Sequence, residues 1–214
     1  MLSLQKTGAI FLDRDGVINE NRVDHVKSWD EFEFIPGALE SIRDLTKTGL
    51  PIFVVTNQAA VSRGQIRPET LDDIHNRMKE AVRRAGGLIT HVYHCPHDNH
   101  ENCNCRKPNS GMLLQAAKDF PIDLSQSYMV GDAWTDVAAA VGVGARAILL
   151  MTGRGRWNFV NCWHRFGFDF AAACDLADAT MMIQELLRGN EMYTTDRLRN
   201  AFHMALRPEE SLVL

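Results

Sequence analysis

The stretch Phe11-Leu12-Asp13-Arg14-Asp15-Gly16-Val17 is an apolar run that ends in two carboxylates, two positions apart, and then a glycine. In a strand, residues i and i+2 project from the same side, so Asp13 and Asp15 are expected to face one reacting centre while Arg14 points elsewhere. Two acids at a strand's C-terminal end can divide the labour of a group transfer. One carboxylate attacks a phosphorus centre, and the other protonates the leaving oxygen and later activates water. The pair can also hold Mg²⁺, which takes oxygen ligands and uses only one or two carboxylates. An isolated Asp-x-Asp at a strand end also fits a solvated turn, so the rest of the chain decides.

Further clusters follow in a consistent order. Ile52-Phe53-Val54-Val55-Thr56-Asn57 is a second β-branched, apolar run, ending in a hydroxyl and an amide that can bond phosphate oxygens. Arg106-Lys107-Pro108 sets two cations side by side before a helix-like stretch, suited to offsetting phosphoryl charge. Tyr128-Met129-Val130-Gly131-Asp132 is another short strand with an acid at its end, and Asp136 stands one helical turn later. Asp132 and Asp136 also fit a helix N-cap and a first-turn acid. In an open parallel sheet the loops after the strands gather along one edge, where ligands bind.

Asp13-x-Asp15-Gly16, Thr56-Asn57, Lys107 and Gly131-Asp132-x-x-x-Asp136 resemble the four motifs of the haloacid dehalogenase superfamily of phosphohydrolases. The resemblance runs from about Ile10 to Thr152 and extends faintly to Arg188. Thr56-Asn57-Gln58, Cys95-Pro96-His97, Cys103-Asn104-Cys105-Arg106-Lys107-Pro108 and Gly111-Met112-Leu113 are similar to its small zinc-containing phosphatases, the branch that acts on heptose bisphosphate or histidinol phosphate.

Composition is that of a soluble globular protein. The chain has 214 residues, 45% hydrophobic and 23% charged, enough to bury a sizeable core. A net charge of -4 argues against broad nucleic-acid binding, although local basic groups can still hold an anionic substrate, and the resemblance implies a small phosphorylated one. No apolar run approaches the roughly 20 residues of a membrane span, and Met1 to Lys6 lacks a signal-peptide core, so no membrane partner and a cytoplasmic location are expected.

Five cysteines in a cytoplasmic chain point to metal or reduced thiols before disulfides. Cys95, His97, Cys103 and Cys105 have the spacing C-x-H-x5-C-x-C, which can close a tetrahedral structural Zn²⁺ site within one loop and brace Arg106 and Lys107. His91, His94 and His100 compete for the imidazole position, and Cys162 and Cys174 read as ordinary thiols.

Strands are expected over Gly8 to Asp13, Ile52 to Thr56, Leu88 to His94, Tyr128 to Gly131 and Ala145 to Leu150. Helices are expected over Ala38 to Thr46, Glu69 to Arg84, Met112 to Phe120 and Thr135 to Val141. The alternation implies a three-layer, Rossmann-like α/β fold with a mainly parallel sheet. Asn19 to Phe34 is expected to form a flap, and no insertion is long enough for a large cap domain. Gly153-Arg154-Gly155-Arg156-Trp157 reads as a flexible basic turn, Phe159 to Phe170 as aromatic packing, Phe168 to Ala171 as a last strand and Ala177 to Arg188 as a last helix. Residues 1–188 are expected to form the phosphatase domain, with the zinc loop at 95–105, and residues 189–214 a C-terminal extension.

The resemblance implies a nucleophile at Asp13 and a general acid–base at Asp15. It implies Mg²⁺ held by the Asp13 carboxylate, the Asp15 backbone carbonyl and the Asp132 carboxylate, with Asp136 behind them. Thr56, Asn57 and Lys107 would stabilise the transferring oxygens, with Gln58, Arg63 and Arg106 as further substrate contacts. The expected substrate is a sugar bisphosphate of the heptose 1,7-bisphosphate kind, with histidinol phosphate as the enzymatic rival and a catalytically silent zinc-stabilised binding protein as the reading of another class. Ala59 and Ala133 depart from the heptose pattern, where serine and a basic residue are common, which puts the sugar and its anomer in doubt. The chain is expected to be a monomer or weak homo-oligomer.

Overall fold

The computed structural model of the chain describes residues 6–167 and 169–190. Six parallel strands form one sheet: β1 (Ile10–Leu12), β2 (Ile52–Asn57), β3 (His91–Cys95), β4 (Tyr128–Gly131), β5 (Arg146–Leu150) and β6 (Phe170–Ala173). Their order across the sheet is β3-β2-β1-β4-β5-β6. Six helices connect them: α1 (Ala38–Thr46), α2 (Pro68–Arg84), α3 (Gly111–Asp119), α4 (Trp134–Val141), α5 (Gly155–Phe166) and α6 (Leu176–Leu187).

Strand alternation builds two cores. Ile10, Leu12, Val54, Val130 and Ile148 face α1, α2 and α6, while Phe11, Phe53, Val55, Met129 and Leu149 face α3, α4 and α5. Leu12 is fully buried, and truncating it to alanine would cost about 2–5 kcal/mol. The chain steps from β1 outward through β2 and β3, then returns to the other side of β1 with β4. The order therefore reverses between β1 and β4, and a crevice opens at their C-terminal ends.

Among the described residues no insertion builds a cap domain, and no helix is long and apolar enough to cross a membrane. The expected flap is partly tied down. Asn19 bridges to Asp15 and Phe34, and Trp29, Phe32 and Phe34 stack together against the core, with ring centroids 5.0–6.2 Å apart. Glu20 to Val23 and His25 of the segment line the crevice.

The basic stretch expected to be a flexible turn instead begins α5. Gly155 starts this helix because a Cβ there would lie 1.5 Å from the Leu150 carbonyl oxygen, so only glycine lets the helix begin so close to β5. The expected aromatic packing over Phe159 to Phe170 is mostly this helix, with Phe159 and Cys162 buried. The last strand lies two residues later than expected, and Phe168, its expected first residue, lies outside the described residues. β3 begins at His91 rather than at the exposed Leu88. Residues 191–214, most of the expected extension, lie outside the described residues.

Candidate active site

Asp13 follows β1 directly and still bonds it to β4, its N–H donating to the Val130 carbonyl at 2.9 Å. Lys107 reaches it from the loop after β3. Lys107 is 2% exposed, and its ammonium lies 2.9 Å from Asp13 Oδ1 and 2.6 Å from Asp136 Oδ1 and donates to the Val55 carbonyl at 2.8 Å. Burial opposes its charge, but Asp13 and Asp136 more than compensate and hold its pKa above the ordinary lysine value. Asn57, at the end of β2, fixes the Lys107 backbone: its Nδ2 donates to the Lys107 carbonyl at 3.0 Å, and its Oδ1 accepts from the Lys107 N–H at 3.1 Å. The Asn57 side chain is thus occupied in placing the lysine.

Asp13, Asp132 and Asp136 are all buried, with one oxygen of each within 4.8 Å of the others. Asp132 Oδ2 accepts from the Arg154 N–H at 2.8 Å, whereas its buried Oδ1 has no hydrogen-bond partner. Gly16 and Gly153 wall this carboxylate closely, since a Cβ on either would come within 2.2–2.3 Å of Asp132 Oδ2. Burial, opposed by Lys107 but reinforced by the neighbouring carboxylates, pushes Asp13 up to about 7. Burial and Asp136 push Asp132 up to about 6. A buried carboxylate oxygen without a donor, with two further buried carboxylates converging on it, is a donor set that fits a hard divalent cation. Asp136 has one oxygen at Lys107, and its Oδ2 accepts from the Ala133 N–H at 3.0 Å, so it also caps α4. The N-cap of α4 is thus Ala133 rather than the expected Asp132, while Asp136 is the expected first-turn acid.

Asp15 stands in a different network. Because β1 ends at Leu12, strand alternation no longer governs Arg14, which folds back instead of pointing away. Arg14 is fully buried and grips Asp15 through Nε and Nη2 at 2.9–3.2 Å. Asn19 Nδ2 donates to Asp15 Oδ1 at 2.9 Å, and Gln58 Nε2 donates to Oδ2 at 2.7 Å. Burial raises the Asp15 pKa, but the Arg14 charge and these donors outweigh it and hold the carboxyl below its usual range. Gln58 also donates to Thr56 Oγ1 at 2.8 Å, so it links the two strand ends. The far side of Arg14 meets His75 of α2, Nη1 to Nε2, at 3.2 Å. Burial, Arg14 and His94 push His75 down to about 2, so its ring is neutral and Nε2 accepts from the guanidinium.

Cys95, His97, Cys103 and Cys105 converge as the spacing predicts, while His91, His94 and His100 stay outside the cluster. Their sulfurs lie 3.1–3.5 Å apart, and His97 Nδ1 lies 3.3–3.5 Å from Cys105 and Cys95. A tetrahedral zinc with Zn–S near 2.3 Å spaces its sulfurs by about 3.8 Å, so this slightly contracted tetrad is compatible with that ion. The same loop holds Arg106, whose Nε donates to Asn99 Oδ1 at 2.6 Å and Nη1 to the His97 carbonyl at 3.0 Å. Both acceptors are neutral, so the charge of Arg106 is left to the crevice. Arg63 differs: it pairs with both Asp98 oxygens at 2.7–2.8 Å and touches His25 at 3.3 Å.

These groups border a crevice of about 1040 Å³ lined by Asp15, Arg63, Arg106, Lys107, Arg154 and Trp157, among others. Arg14, His75, Arg154 and Trp157 are the residues that the sequence patterns did not single out.

Known proteins share this sequence pattern and fold. The family model described as HAD-hydrolase-like matches residues 104–158. The D-glycero-beta-D-manno-heptose-1,7-bisphosphate 7-phosphatase of Neisseria meningitidis serogroup A is 40% identical over 147 residues, 69% of this chain and 79% of that protein. This chain belongs to the haloacid dehalogenase-like phosphatases. The enzyme of the same name from Escherichia coli K12 is 40% identical over 68% of this phosphatase and 80% of its own length. Among solved structures, the D,D-heptose 1,7-bisphosphate phosphatase of B. bronchiseptica, complexed with magnesium and phosphate, superposes with a TM-score of 0.79. It is 34% identical to this phosphatase and covers 86% of it and 99% of its own chain.

Proposed function

We propose that this phosphatase removes the 7-phosphate of D-glycero-β-D-manno-heptose 1,7-bisphosphate in the cytoplasm, as a monomer or weak homo-oligomer, with residues 1–188 as its catalytic domain. The reading rests on one observation: Asp13, Lys107 and the half-satisfied Asp132 converge at the β1/β4 switch point of a chain 40% identical to heptose bisphosphate phosphatases.

Asp13 attacks phosphorus in line. A bond forms between its carboxylate oxygen and phosphorus while the ester P–O bond breaks, and Asp15 gives its proton to the departing sugar oxygen. Arg14 keeps Asp15 anionic before substrate arrives. The incoming phosphate brings negative charge beside it and raises its proton affinity, so substrate binding loads the acid. Asp15 then takes a proton from water, the hydroxyl oxygen attacks phosphorus, and the Asp13 carboxylate leaves.

Thr56, the Asn57 N–H and Lys107 face the transferring oxygens, with Gln58 holding Thr56 and Asp15 in register. Mg²⁺ would be held by the carboxylates of Asp13 and Asp132 and the backbone carbonyl of Asp15, with Asp136 behind, and would neutralise phosphoryl charge. Zn²⁺ held by Cys95, His97, Cys103 and Cys105 would keep Arg106 in place to meet the substrate's anionic groups. Arg63 can serve the distal phosphate only by loosening its pair with Asp98.

Phosphate release with Mg²⁺ is the test, using both anomers of heptose 1,7-bisphosphate, fructose 1,6-bisphosphate and histidinol phosphate, with Asp13→Asn as control. Preference for the β-anomer, abolished in the variant, is the expected result. Preference for histidinol phosphate contradicts the substrate, and equal background in both proteins contradicts turnover.

A further inference from the structure

The two most exposed large apolar side chains among the described residues are Val23, fully exposed, and Trp157, 81% exposed. Single exposed apolar residues are ordinary on a protein surface, but these two line the same crevice. Trp134 also lines it, yet its ring is already covered by the Arg165 guanidinium at 4.5 Å. Trp157 has no ring or cation–π contact among the described residues, so an indole face is left open at the mouth of a catalytic crevice.

The turn that carries Trp157 is firmly tied to the site. The Arg154 N–H donates to Asp132 Oδ2 at 2.8 Å. Asn158 Nδ2 donates to the Arg154 carbonyl at 2.9 Å, and Asn158 Oδ1 accepts from the Trp134 N–H at 3.3 Å. The first turn of α5 is thereby latched to a candidate metal carboxylate on one side and to α4 on the other. Arg154 is the N-cap residue of α5 and Trp157 lies in its first turn, and Arg154 Nε stands 3.7 Å from Asp132 Oδ2. Both line the crevice, which joins a cation to a flat apolar surface.

A sugar ring presents just such a mixed surface, with a patch of C–H groups on a face and hydroxyls at its edge. A preorganised indole contributes contact area with little loss of side-chain entropy. We propose that Trp157, carried on the latched first turn of α5 beside Arg154, is the platform on which the sugar ring of the substrate stacks and a determinant of sugar specificity. This inference rests on the sugar-phosphate reading above and adds the residue that reads the ring.

The test compares wild type, Trp157→Ala and Trp157→Phe on heptose 1,7-bisphosphate and on acetyl phosphate, a ringless phosphoryl donor. The readout is the ratio of the two kcat/KM values. The expected result is a ratio lowered about tenfold in Trp157→Ala and largely restored in Trp157→Phe, which keeps an aromatic face. A wild-type ratio in both variants overturns the inference alone. So does a parallel loss on both substrates, or a change of oligomeric state with the ratio unmoved, since either assigns Trp157 a structural role. A wild-type enzyme that turns over acetyl phosphate but not the heptose bisphosphate overturns the substrate reading, and this inference with it.

Discussion

Lys107 Nζ lies 2.9 Å from Asp13 Oδ1, and both side chains are almost wholly withdrawn from water. A buried ammonium beside the proposed nucleophile has two effects: it keeps Asp13 partly ionised despite burial, and it places positive charge where phosphoryl oxygens arrive. Lys107→Ala should lower kcat by about 10²–10³-fold, the usual loss when a transition-state donor is removed. It should also destabilise the fold by about 3–5 kcal/mol, because the buried carboxylates lose their counter-charge. Steady-state phosphate release and urea unfolding check the two effects separately.

The acidic cluster predicts a linked dependence on pH and metal. Asp13 and Asp132 are raised from 3.8 to about 7 and about 6, so the folded state holds protons that the unfolded chain has released. Their contribution to metal-free stability is therefore complete below about pH 4 and is lost as pH rises to about 7. Mg²⁺ bound as proposed would take the deprotonated carboxylates and oppose this loss. The rise in Tm on adding Mg²⁺ should be larger at pH 8 than at pH 5.5, measured by thermal unfolding at constant ionic strength. An equal rise at both values would place the ion elsewhere.

His75 makes a separate prediction because it accepts from Arg14 without touching the crevice. His75→Leu leaves one face of a buried guanidinium without an acceptor, at a cost of about 1–3 kcal/mol. His75→Gln, whose amide oxygen can accept, should recover part of that loss. Urea denaturation of both variants tests it, and equal destabilisation by Leu and Gln would show that packing alone matters.

The four-residue metal cluster should hold one Zn²⁺ per chain by elemental analysis of protein purified without chelator. Cys105→Ser should release the ion and speed amide exchange across the loop from Cys95 to Lys107. Unchanged exchange in the variant would show that the metal does not organise Arg106.

The parts of the fold that were legible share a physical cause. Strands such as Ile52–Asn57 and Tyr128–Gly131 are buried on both faces, so they read as uninterrupted apolar runs, and the acids and amides that matter stand where those runs stop. Cys95, His97, Cys103 and Cys105 were legible because one short loop brings them together. Arg14 was not, because strand periodicity was extended two residues past the end of β1. The start of α5 was hidden because Gly153 and Gly155 imitate a flexible turn, while close approach to Asp132 and Leu150 is what requires them. His75 gave no signal: a histidine on the apolar face of α2 is ordinary in sequence, and only the fold sets it against Arg14.

If the phosphoryl group passes through Asp13, its acyl-phosphate bond can be trapped. The enzyme is mixed with heptose 1,7-bisphosphate and Mg²⁺ and quenched in acid within milliseconds. Borohydride reduction, which converts an acyl phosphate to an alcohol, is followed by peptide mass spectrometry. The expected result is a substrate-dependent reduced side chain at position 13 and at no other carboxylate, absent in Asp13→Asn. Phosphate release with position 13 unmodified, or with the label on Asp15, Asp132 or Asp136, would contradict it.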